Sequence, residues 1–65
     1  MEIAAVIGRY VPLTPSAEGS YRGRCPFHVG RGVTLIVFPP SQTWRCFGCD
    51  LGGDVEAFLA RYAGA

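Results

Sequence analysis

Apolar positions recur along the chain with two different periods, and the changes of period mark the elements. Across residues 2–9, Ile3, Val6 and Ile7, followed by Tyr10, fall at i, i+3, i+4 and i+7, one stripe of a short amphipathic helix. Pro12 and Pro15 end it and hold Leu13-Thr14 extended between them. Ser16 to Ser20 reads as a polar turn, and Tyr21-Arg22-Gly23-Arg24 as a short extended stretch. Val33-Thr34-Leu35-Ile36-Val37-Phe38, β-branched and aromatic, is the best strand in the chain. Pro39 to Gln42 turns it around, and Thr43-Trp44-Arg45-Cys46 returns as its partner. Leu51-Gly52-Gly53 reads as a linker. Asp54 is placed to cap a last helix whose stripe is Val55, Phe58, Leu59 and Tyr62, with Gly64 near its end.

These elements predict a small α+β domain over residues 1–65, an antiparallel ribbon with one helix on each side. Neither helix is long enough to persist alone, so Ile3, Val6, Ile7, Phe58, Leu59 and Tyr62 are expected to pack on the sheet. A chain of 65 residues buries only about 60% of its unfolded surface, so its apolar core leaves stability marginal.

The cysteines answer that shortfall. All three, with the single histidine, form two knuckles, Cys25-Pro26-Phe27-His28 and Cys46-Phe47-Gly48-Cys49. A two-residue gap lets both ligands of a turn reach one ion, and four protein donors complete a tetrahedral shell. Cys₃His suits zinc in a closed, structural site, which fits zinc better than an iron–sulfur cluster. The expected ligands are therefore Cys25, His28, Cys46 and Cys49, holding one Zn²⁺ whose binding energy becomes folding energy. Three cysteines cannot pair fully into disulfides, no signal peptide is visible, and no apolar run could span a bilayer. A reducing cytoplasm, with no membrane partner, is the expected setting.

Formal charge is +1, and three thiolates with one Zn²⁺ bring it to neutral. The distribution matters more than the sum. Gly19 to Cys49 carries Arg22, Arg24, Arg31 and Arg45 and no acid, while all five acids lie outside it. Arg22 and Arg24 alternate on one extended segment and so share a face. Arginines beside an aromatic, Tyr21 or Trp44, have the composition of a surface for single-stranded nucleic acid. Trp44 and Arg45 must face opposite ways, so one of them leaves that surface. No nucleophile, base and oxyanion donor assemble, and the closed metal shell has no vacant position, so catalysis by this chain is not expected.

The residues now described resemble the zinc finger at the N-terminus of bacterial and phage DNA primases. The likeness runs over about residues 3–62. It rests on Val6 to Val11, Tyr21 to His28, Trp44 to Cys49, and Gly52 to Val55 followed by Phe58-Leu59. It implies one structural zinc on the four ligands and a part in recognising single-stranded template DNA for primer synthesis by a separate catalytic domain. A primase catalytic domain or a replicative helicase is the implied protein partner. After His28 the chain departs from the family's usual acid, lysine, Thr-Pro-Ser-Phe, reading Val29-Gly30-Arg31-Gly32-Val33-Thr34-Leu35. Arg31 and Thr34 keep the charge and the hydroxyl. Asp50-Leu51 also replaces the family's small residues after the fourth ligand. The acidic motifs of a primase polymerase do not occur, so the expectation is a non-catalytic module, an excised domain or a free-standing finger. Two other readings stay open: an adaptor docking on a primase, helicase or polymerase, and a zinc–thiolate redox switch.

Overall fold

The computed structural model describes residues 2–27 and 32–64. His28 and Arg31, expected as a metal ligand and a phosphate contact, lie outside the described residues. Five short strands pair antiparallel in the order of the chain: β1 (Thr14–Pro15), β2 (Tyr21–Gly23), β3 (Leu35–Phe38), β4 (Thr43–Cys46) and β5 (Leu51–Gly53). Helices α1 (Ile3–Ile7) and α2 (Val55–Gly64) pack on one face of this sheet. The α+β architecture is as expected, with a sheet of five strands where two or three were legible.

Helix α1 spans five residues rather than the eight expected. The Glu2 carboxylate accepts from the Ala5 N–H at 3.0 Å and starts it. The chain then tightens into turns, with the Arg9 N–H donating to the Val6 carbonyl and the Tyr10 N–H to that of Ile7. Tyr10 still meets the core from the turn, its ring 6.3 Å from Phe58.

Strand β3 begins at Leu35, two residues after the expected start. Thr34 lies outside the strand because its groups are engaged with the second knuckle: its carbonyl accepts from the Phe47 N–H at 3.0 Å. The turn after β3 ends at Gln42 in the left-handed region (φ 54°), and that geometry is used. The Gln42 side-chain carbonyl accepts from the Ile3 N–H at 2.9 Å, tying α1 to the β3–β4 hairpin.

The expected linker at 51–53 is a strand. Backbone pairing of Trp44 with Gly53 and Cys46 with Leu51 needs no side chain from the glycines. Gly53 takes φ 153°, and a Cβ there would lie 2.7 Å from that of Ala57, so glycine lets α2 fold back at once onto the sheet. Pro15 is accommodated in β1 because that strand is an edge.

Pairing register assigns every side chain to a face. Leu35, Val37, Trp44 and Cys46 point inward and are buried with Ile3, Ile7 and Phe58. Of the six expected packing residues, Ile3, Ile7 and Phe58 are fully buried, Val6 and Leu59 are half-buried, and Tyr62 is 38% exposed. Arg22, Ile36 and Arg45 lie opposite one another across β2, β3 and β4 on the outer face.

Candidate metal centre and outer sheet face

The three cysteines meet at one end of the sheet. Cys25 lies two residues past β2, Cys46 ends β4, and Cys49 sits in the turn into β5. Pairing of Leu35 with both Gly23 and Cys46 brings these segments together, so the sheet register places the sulfurs. The three Sγ atoms lie within 4.8 Å of one another, and Cys25 and Cys49 approach to 3.5 Å. Tetrahedral Zn–S bonds of about 2.3 Å put ligand sulfurs about 3.8 Å apart, so this trio has the spacing of three corners of a zinc tetrahedron.

The surroundings favour thiolate at that point. Backbone N–H groups turn toward the sulfurs: Phe27 toward Cys25, Cys49 toward Cys46, and Leu51 toward Cys49. Thr34 Oγ1 stands 3.4 Å from Cys46 Sγ. Burial pushes the Cys25 thiol up to about 12, with the neighbouring Cys46 adding to the rise. Burial also opposes charge on Cys46, but hydrogen bonds from Thr34, Cys25 and Cys49 outweigh it and bring that thiol down to about 6. Burial and Cys46 raise Cys49. Three thiols this close place the first charge on Cys46 and await a cation for the rest. The donor set is soft and compact, with Cys25 and Cys46 buried and Cys49 half-buried, which suits zinc.

The nucleic-acid candidates separate between the two faces. Arg22 and Arg45 share the outer face, and exposed Arg24 follows β2. Arg45 donates to the Asp50 carboxylate at 2.9 Å, an ion pair between side chains 55% and 86% exposed. Such a pair contributes little and is open to exchange. Trp44 corrects the expectation of a stacking platform. It is 2% exposed, packs edge-on against Phe58 at 5.6 Å, and donates its indole N–H to the Asp54 carbonyl at 2.8 Å. Tyr21, half-buried, pairs with Val37 and therefore belongs to the inner side, opposite Arg22.

The aromatic that does stand beside an arginine is Phe47. It is 60% exposed, and the Arg45 guanidinium carbon lies 5.6 Å from its ring centroid. Phe47 lies just past the end of β4, in the turn between Cys46 and Cys49, where strand alternation does not reach.

The chain matches the family described as CHC2 zinc finger over residues 1–65. DNA primase from Listeria monocytogenes is 40% identical over 63 residues, covering 97% of this chain and 10% of that protein. DNA primase from Thermotoga maritima is 41% identical over 64 residues, covering 98% and 11%. The crystal structure of the Aquifex aeolicus primase zinc-binding and RNA polymerase domains superposes with a TM-score of 0.92 at 36% identity, covering 98% of this chain and 16% of that one. The chain thus spans about a tenth of the length of these curated relatives. Donor chemistry and family agree on zinc as the metal. Among the described residues no helix is long and apolar enough to cross a membrane.

Proposed function

The chain belongs to the CHC2 zinc-finger family found in DNA primases, and from that premise we propose that it is a non-catalytic module that binds single-stranded template DNA on its outer sheet face during primer synthesis. Cys25, His28, Cys46 and Cys49 hold the zinc. When bound, zinc would fasten the β2 end to the β4–β5 turn and take no part in a reaction. Everything else is done by the chain's own side chains.

The observation that carries this reading is the outer face itself. Arg22 and Arg45 align across β2–β4, exposed Arg24 follows β2, and Phe47 offers an open ring beside Arg45. Arginines on phosphates position a strand without reading it, and an aromatic face stacks any base. A phosphate approaching Arg45 competes with Asp50, and a base approaching Phe47 competes with the Arg45 guanidinium, so both contacts exchange partners of similar strength. Arg31, in the segment following the first knuckle, is a fourth phosphate contact in this reading.

Reversing Arg22 and Arg24 to glutamate should abolish binding of a labelled single-stranded oligonucleotide at low salt while zinc content stays at one per chain. Undiminished binding by that variant would remove the outer face from the proposal. A second reading, docking on a primase catalytic domain or replicative helicase, draws on the opposite side. Tyr10 (45% exposed) and Tyr62 meet there in a tilted pair with centroids 4.7 Å apart. Arg22→Glu with Arg24→Glu leaves that patch intact, so a partner contact made through it would survive the double variant.

A further inference from the structure

At the end of the outer face away from the metal, the two turns that close β1–β2 and β3–β4 stand up on either side of the sheet and leave a concave groove between them. Its floor is apolar: Ile36, Phe38 and Pro40. Arg22 and Ser41 line it, and across it lies Glu18. Glu18 is held in the left-handed region (φ 57°, ψ 34°) at the crest of its turn, just before Gly19. The turn is closed beneath it, with the Ser16 N–H donating to the Ser20 carbonyl at 2.7 Å and the Ser20 hydroxyl to the Ala17 carbonyl at 2.6 Å. A non-glycine residue kept in this conformation has its backbone, and so the point from which its side chain leaves the turn, held by the loop around it.

We infer that this groove is a base subsite that favours guanine in a single strand crossing the outer face; the inference rests on the reading of that face given above. Charge complementarity identifies the occupant. The groove opens onto Arg22, which shares its face with Arg45 and takes the phosphate, so a strand following the arginine row meets an apolar slot of aromatic and aliphatic side chains. The slot's acid then decides which base fits. A carboxylate only accepts hydrogen bonds, and guanine alone presents two adjacent N–H donors on its Watson–Crick edge, N1–H and N2–H, matching both oxygens. Cytosine and adenine set one amino donor beside a ring nitrogen lone pair, which repels the carboxylate. Thymine offers one N–H between two carbonyl oxygens. Glu18 is therefore a discriminating residue, and Arg22 an affinity residue.

The test uses the zinc-loaded 65-residue chain and fluorescence anisotropy at low salt, with an oligothymidylate carrying one central guanine, adenine or cytosine. The guanine strand is expected to bind about five-fold more tightly than the other two, the low end of what a good bidentate base contact discriminates. Glu18→Gln should erase that preference while leaving plain oligothymidylate bound at least as well, since a negative charge is lost. Equal affinity for the three strands, or a guanine preference that persists in Glu18→Gln, overturns the subsite but not the arginine face. Failure of every strand to bind overturns both.

Discussion

Replacing Cys46 by serine removes the sulfur on which charge settles first, and the variant should purify without zinc and without a cooperative thermal transition. Thr34→Val is the finer probe. It keeps all four proposed ligands and deletes only the hydroxyl 3.4 Å from Cys46 Sγ, so zinc affinity measured against a chelator should fall about 10- to 100-fold with the fold retained. The same cluster predicts a proton count. While the fold holds, Cys25 and Cys49 are raised and keep their protons at neutral pH, and Cys46, brought down to about 6, does not. Zinc binding near pH 7.5 should therefore release about two protons from a folded metal-free chain and about three from an unfolded one, whose thiols are all protonated, a difference read by calorimetry in buffers of different ionisation enthalpy. As pH falls through about 6, Cys46 also binds a proton and zinc affinity should drop more steeply. At this scale the meeting of the three cysteines was legible from spacing alone. The direction of Trp44 was harder to read, because alternation says only that it faces opposite Arg45, and Phe47 lies beyond the strand, where alternation does not reach.

Among the elements, α2 depends on contacts at its first turn. Asp54 accepts from the Ala57 N–H at 2.9 Å through its side chain, and its carbonyl accepts from the Trp44 indole. Asp54→Ala should cost about 1 kcal/mol, read as a fall of roughly 5 °C in the melting temperature of the zinc form. Gly53→Ala should cost more, about 1–3 kcal/mol, since the new methyl meets Ala57 at 2.7 Å in a backbone conformation other residues avoid. A larger loss for Asp54→Ala than for Gly53→Ala would contradict this account of the junction. Helix α2 and the β3–β4 hairpin were readable because their patterns are strong and local. Strand β5 was not, since Leu51-Gly52-Gly53 has no strand composition and pairs only because β4 offers an open edge. The shortening of α1 was hidden too. Its apolar period continues to Tyr10, which reaches Phe58 and Tyr62 from a turn as well as a helix would.

For the molecule as a whole, the sheet divides the labour. Its inner face, with Leu35, Val37, Trp44 and Phe58 at the centre, joins the metal cluster through Cys25 and Cys46 into one core. Its outer face is left to arginines, with Ile36 and Phe38 half-buried among them. Removing zinc should therefore loosen the outer face as well, because β2 and β4 carry both the ligands and Arg22 and Arg45. The central claim is that this zinc-fastened face binds single-stranded DNA, and a salt titration of oligothymidylate binding to the zinc-loaded chain tests it most directly. Arg22, Arg24, Arg31 and Arg45 on four phosphates predict a slope of log K against log salt of about −3, with binding lost when zinc is chelated. A flat salt dependence, or equal binding with and without zinc, would contradict it.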